Sequence, residues 1–258
     1  MGLAVGSFIG TLVYRLLRGE QFVKGRSYCP NCAHTLRWYD LVPVFSFLIL
    51  LGRCRYCRSK ISWSYPVIEL CSGAIALTSF LFFSPAGLAY WLFWFFVLEL
   101  FLILAFIDLK YFILPDSIMA LILAVFVSYE IISGQTIGGS SIFSFDSLVG
   151  AGLLFLIFLL VWSLSNGKGI GLGDAKLAGL LGLIFGFWKA VFILYLAIAA
   201  GAIVGLALIF SGRGGLKTKL PLGAFVSFAV ILFVLFGQVS FERTADFFKY
   251  LLFKINLF

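Results

Sequence analysis

The chain has 258 residues, 62% of them hydrophobic and 12% charged, with a mean hydropathy of +1.12. A soluble domain is typically about 45–50% apolar and about 25% charged, so a soluble globular protein is excluded. The formal charge of +8 would suit nucleic acid, but its placement excludes that partner: nine of the 19 basic residues fall between Arg15 and Lys60, beside only Glu20 and Asp40. In a membrane protein such a cluster reads as the cytoplasmic side, drawn to anionic lipid headgroups.

A span takes roughly 20 apolar residues, and hydropathy predicts about eight: 1–17, 66–83, 88–107, 117–133, 147–165, 175–187, 190–210 and 220–239. The alternating strands of an outer-membrane barrel are absent. The fold class expected is therefore an all-α polytopic membrane protein. Ser84-Pro85-Ala86-Gly87, Leu114-Pro115-Asp116, the run from Gly134, Asn166–Gly173, a tight turn at Lys189 and Ser211–Gly215 mark the breaks. Met1–Leu17 barely reaches across a bilayer and reads as a first helix cut short; it carries no basic leader or cleavage site, so no removable signal peptide is expected. Gly182/Gly186 and Gly201/Gly205, four apart, predict close helix packing.

Lys and Arg concentrate in segments 18–65, 108–116, 166–176 and 211–219, with Arg15 at the first edge, and these alternate with loops 84–87 and 134–146, which hold none. Basic residues stay inside, so the four rich segments are expected to be cytoplasmic. The tail 241–258, with Arg243, Lys249 and Lys254, falls on the opposite face and suits an interfacial helix.

Cys29-Pro30-Asn31-Cys32 and, 21 residues on, Cys54-Arg55-Tyr56-Cys57 form two C-x-x-C knuckles. Four thiolates in two pairs suit a tetrahedral Zn²⁺, and with every coordination position filled the metal is structural. Thiols facing the cytoplasm stay reduced, which argues against disulfides. A polar segment of this size with few core residues gains its folding free energy from the metal. His34, the only histidine, reads as a surface or outer-shell side chain, and Cys71 as a small buried hydrophobe.

Carboxylates are costly in hydrocarbon and mark function by default. Glu99 suits a structural polar contact, and Glu130 lies near the outer interface. Asp108 closes the third span and Asp174 opens the sixth, both in Asp-x-Lys and both expected at cytoplasmic helix ends at similar depth. Residues i and i+2 do not face each other on a helix, so each lysine is expected to snorkel outward while its aspartate turns inward. Two carboxyls brought together cannot both ionise; one stays protonated while the other is a base, and such a pair activates water without metal, serine or histidine. Gly171 and Gly173 leave room for an extended substrate backbone, and the glycines at 167, 169, 171 and 173 predict a moving loop. Each aspartate alone reads equally well as a helix cap, and Asp116, after Pro115, most simply as the N-cap of span four.

Gly6-Ser7-Phe8…Tyr14-Arg15, the two knuckles, Leu41-Val42-Pro43, Ser64-Tyr65-Pro66-Val67-Ile68-Glu69-Leu70, Asp108-Leu109-Lys110…Leu114-Pro115-Asp116, Gly171-Leu172-Gly173-Asp174 and Pro221-Leu222-Gly223 run in one order through the chain. That order resembles the type IV prepilin leader peptidase/N-methyltransferase family, although Gly10 stands where the family commonly carries Asn. The resemblance implies an intramembrane aspartic endopeptidase of the bacterial inner membrane with Asp108 and Asp174 catalytic and zinc on Cys29, Cys32, Cys54 and Cys57. It further implies Glu69 as a residue of S-adenosylmethionine-dependent N-methylation, and prepilins or pseudopilins cut after a leader glycine as substrates. The domains then read as 1–17 first helix, 18–65 cytoplasmic zinc-binding domain, 66–240 transmembrane catalytic domain and 241–258 tail. The alternative is a small ion- or proton-coupled transporter using the same carboxylates; it predicts inverted repeats and half-helices meeting mid-membrane, which the sequence does not display.

Overall fold

The computed structural model describes residues 1–16, 26–134, 141–167, 169–215 and 218–237; the tail 241–258, Lys168 and Lys217 lie outside the described residues. The helices are α1 (Gly2–Leu16), α2 (Phe45–Ile49), α3 (Ser64–Phe83), α4 (Leu88–Tyr111), α5 (Asp116–Ser133), α6 (Phe145–Leu164), α7 (Leu172–Phe185), α8 (Phe187–Phe210) and α9 (Leu222–Leu232), the last continuing through one wider turn, Phe233–Gly237. Apart from the short α2, these are the eight apolar segments read from hydropathy. Five of them, α3 with its following turn, α4, α5, α6 and α8, are long and apolar enough to cross a membrane. The 14 residues of α7 rise only about 21 Å, and α1 and α9 are likewise shorter than a full span.

The chain divides into two units, Met1–Phe106 and Ile107–Phe258. In the first, α1 lies along α3 on a seam of small residues. A Cβ at Gly2 would sit 2.5 Å from the Cβ of Ala76, and one at Gly6 2.7 Å from the Cα of Glu69. The Ser72 hydroxyl, fully buried, lies 2.7 Å from the Gly2 carbonyl of α1 and 2.7 Å from Glu99 Oε1 of α4, so one side chain binds three helices together. Glu99 is thus a structural polar contact, as its isolation in the sequence suggested. Cys71 is half-buried rather than buried.

In the second unit α7 is the hub, packed on α5, α6, α8 and α9. A Cβ at Gly182 would lie 2.5 Å from the Gly150 carbonyl of α6, so that crossing closes to backbone contact. The partner residue Gly186 does something else: with φ 75° it forms the corner between α7 and α8. That moves the predicted turn back from Lys189, which sits inside α8. Glu130 accepts the Ile142 N–H at 3.1 Å, closing the connection to α6, whose N-cap Ser144 accepts from Ser147 N–H.

Two further expectations are corrected. Asp116 is the first residue of α5, not its cap: Pro115 holds the cap position. The Asp116 carboxylate instead takes the Lys176 ammonium at 2.7 and 2.8 Å. Lys176 therefore reaches sideways to α5 rather than snorkelling away. A partner 60 residues distant outcompeted the local cap.

Candidate active site and metal centre

Asp108 lies in the last turn of α4, 5% exposed. Its Oδ2 accepts the Ala224 N–H at 2.8 Å. Ala224 is the third residue of α9, and its amide is one of the donors that a helix leaves unpaired at its start. Pro221 fixes the entry to that helix, and Gly223 leaves space: a Cβ there would stand 3.0 Å from Asp108 Oδ2. The Pro-Leu-Gly triplet is therefore a seat for the Asp108 carboxylate. The helix dipole favours negative charge at the same place.

Asp174 occupies the first turn of α7, half-buried, and its Oδ2 accepts the Gly171 N–H at 3.0 Å. It lies within electrostatic range of Asp108. The two aspartates named from sequence thus come together in one unit, each held by a backbone amide through Oδ2. A Cβ at Gly171 would sit 3.2 Å from Asp174 Oδ2, so this glycine makes room for the carboxylate. A Cβ at Gly173 would sit 3.1 Å from the Leu114 Cβ, so that face is filled by Leu114. Leu114 also packs against Gly223, where a Cβ would lie 2.7 Å from its Cδ1. Neither the contact of Leu114 with both glycines nor the Asp116–Lys176 pair is readable from sequence. The pair is solvent-exposed and worth no more than about 1 kcal/mol of stability.

The metal centre belongs to the first unit. The thiols of Cys29, Cys32, Cys54 and Cys57 all lie within 4.8 Å of one another, and Cys29 Sγ stands 3.8 Å from Cys57 Sγ. Thiolates about 2.3 Å from a tetrahedral ion are separated by roughly 3.8 Å, so the donor set fits a metal. Two knuckles of the same build hold it. Cys29 N–H donates to the His34 carbonyl and Cys54 N–H to the Ser59 carbonyl; Tyr28 pairs with Thr35 and Arg53 with Lys60; and the fourth residue after each first cysteine, Ala33 or Arg58, has φ near 60°. This repeat, 25 residues apart, was not read from sequence because only the cysteines are shared. The hydroxyl and amide of Ser59 draw the Cys57 thiol down to about 6. His34 stays outside the thiol cluster, its ring tilted 35° against that of Tyr56 with centroids 3.6 Å apart. Between the knuckles, Asp40 binds Arg55 Nε at 2.7 Å, Tyr56 and the Arg37 N–H. Burial opposes the Asp40 charge, but these donors hold its carboxyl below the usual range.

Glu69, 8% exposed on α3, accepts the Val44 N–H at 2.7 Å through Oε2. Val44 follows Leu41-Val42-Pro43 and has φ 62°, a strained value for a β-branched residue. Glu69 therefore anchors the strained end of the Leu-Val-Pro loop.

Residues 1–83 match the bacterial peptidase A24 N-terminal domain, and residues 94–206 the type IV leader peptidase family. Three relatives each bear the name prepilin leader peptidase/N-methyltransferase. That of Burkholderia pseudomallei (strain K96243) is 33% identical over 270 residues, covering 92% of this chain and 84% of its own length. That of Myxococcus xanthus is 36% identical over 231 residues, and the match spans 64% of that longer protein and 85% of this chain. That of Bacillus subtilis is 29% identical, covering 92% of both chains. No solved structure matches.

Proposed function

We propose, for a chain that belongs to the type IV leader peptidase family, that it cleaves prepilin or pseudopilin leaders and N-methylates the new N-terminus. The observation that carries the peptidase half is the meeting of Asp108 and Asp174, each seated on a backbone amide. One carboxyl holds the shared proton while the other, ionised, removes a proton from water as it attacks the scissile carbonyl carbon. The protonated carboxyl gives its proton to the carbonyl oxygen. As the resulting gem-diol collapses, one hydroxyl returns its proton to the carboxylate that gave it, the C–N bond breaks, and the amine leaves with the proton taken from water. The substrate backbone approaches on the exposed Gly171 side of the pair, since the Gly173 side is filled by Leu114. The transporter alternative finds no support, since the relatives are named as leader peptidases.

Zinc is the metal we assign to Cys29, Cys32, Cys54 and Cys57, because four thiolates in tetrahedral spacing suit it and leave no open position. It supplies folding free energy to its segment and no chemistry to cleavage. S-Adenosylmethionine supplies the methyl group of the second activity. Glu69 acts there through its hold on Val44 and the loop before it. The apolar helices make this a multi-pass membrane protein. We place it in the bacterial inner membrane with lipids around it and the zinc segment on the cytoplasmic side, where the basic residues concentrate.

A cleavage assay with a synthetic prepilin leader peptide and purified protein in detergent tests the reading. Loss of cleavage in Asp108→Asn and in Asp174→Asn supports it; full activity in either variant returns that residue to helix capping.

A further inference from the structure

We infer that Leu114, pinned by the Asp116–Lys176 ion pair, is the spacer that sets the separation of the two aspartates. The inference rests on the proposed peptidase reading and adds a positioning element to it. Leu114 presses on Gly173, the residue before Asp174, and on Gly223, the residue before the Ala224 amide that seats Asp108. One side chain therefore touches both the residue before Asp174 and the residue before the amide that seats Asp108.

The segment carrying Leu114 is tied down at both ends, and both ties lead to the pair. At its start, Phe112 N–H donates to the Asp108 carbonyl at 2.9 Å, with Phe112 at φ 56°, uncommon for an aromatic residue. At its end, Asp116 takes both of its short bonds from Lys176, two residues beyond Asp174. The chain thus leaves α4 just after one aspartate and is fastened to α7 just after the other. Phe112 and Ile113 point outward, while Leu114 turns in and is half-buried. A residue that only filled space would not need a strained entry and a bidentate exit.

Shortening the spacer lets the two carboxyls approach. Closer like charges push the two apparent ionisations of a pair apart, so the pH–rate profile broadens. Lys110 at the end of α4 and Arg213 and Lys219 before α9 are exposed, and none is altered by the variants.

The test uses the full chain in detergent and a synthetic prepilin leader peptide, with kcat, KM, the pH profile and thermal melting read for each variant. Leu114→Ala is expected to lower kcat about 10- to 100-fold, the scale of an ångström-sized misplacement, with KM little changed and the profile broadened. Leu114→Met, of similar volume, is expected to recover most of kcat and the original profile width. Asp116→Lys and Lys176→Asp are each expected to lower kcat, and the double exchange to recover it. A lowered melting point with unchanged kcat and profile would make Leu114 a filler and overturn the inference. So would equal loss in both single ion-pair variants with no recovery in the exchange, a comparison that decides the matter even if Leu114→Ala does not fold. Asp108→Asn and Asp174→Asn run alongside: cleavage surviving in either defeats the peptidase reading itself, a result distinct from failure of the spacer.

Discussion

The amide of Ala224 donates to the carboxylate of Asp108 across 116 residues of sequence, at 2.8 Å. The contact explains why a glycine precedes Ala224 and a proline opens the turn: the helix must begin there and nothing may project toward the carboxylate. A donor at a helix start is preorganised, because its position is fixed by the helix and not by a side-chain rotamer.

Gly223→Ala should therefore damage catalysis without unfolding the protein. The new methyl would stand 2.7 and 2.8 Å from the Leu114 methyls and 3.0 Å from Asp108 Oδ2, so either Leu114 or the carboxylate must shift. A loss of about 100-fold in kcat is expected. Bound zinc should be unchanged, since the thiols belong to the other unit. A variant with unimpaired cleavage would show that the Asp108 seat is not needed.

The metal centre has its own prediction. Purified protein should carry one zinc per chain, and Cys29→Ser or Cys54→Ser should lower that content and expose the 26–63 segment to proteolysis while α-helical circular dichroism is retained. Those two cysteines are the buried members of the set, and each donates its amide inside its knuckle. Removal with a chelator should be easier at low pH, where thiolates regain protons. Disulfides at these positions in freshly purified protein would refute the assignment.

Packing in the second unit hinges on one backbone crossing. Gly182→Ala would place a methyl 2.5 Å from Gly150, where backbone rather than a flexible side chain must give way. Overpacking of this kind typically costs about 1–3 kcal/mol. Thermal melting in detergent should fall accordingly, whereas Gly152→Ala, with nothing within 4 Å of the added methyl, should melt close to the parent.

The eight apolar runs, the thiol quartet and the two aspartates were legible in the sequence because each signal is local or chemically distinctive. Span limits came within a few residues since hydrophobic contrast is strong at Pro85, Pro115 and Gly134. What could not be read were contacts between distant elements. Pro115-Asp116 has the local look of a helix start, and only the fold brings Lys176 to displace that reading. Gly173 likewise reads locally as room for substrate, and only the fold sets Leu114 against it. The seam of α1 was readable: Gly2, Gly6 and Gly10 follow the same spacing of four that marks Gly182 and Gly201. The role of Glu69 was not, because its partner is a backbone amide and any residue can supply one.

The last prediction concerns how cleavage depends on pH. A proton shared between Asp108 and Asp174 makes the active form singly protonated. As pH falls, the second carboxyl takes up a proton and the base is lost; as pH rises, the shared proton leaves and the acid is lost. The rate should follow a bell whose two limbs belong to the pair and not to either residue. Asp108→Asn and Asp174→Asn should each abolish cleavage across the whole range, because an amide can neither take the proton from water nor hold the shared one. Asp116→Asn should instead keep a bell-shaped profile with a reduced maximum, since that residue meets Lys176 and contributes no proton to the reaction. The measurement is the initial cleavage rate of a leader peptide by the purified parent and the three variants at closely spaced pH values. A profile with a single limb would show that one carboxyl, not two, titrates in the active form. A bell that persisted in Asp174→Asn would remove that residue from the chemistry and leave it as the capping group of α7, bonded to Gly171 N–H as it is now.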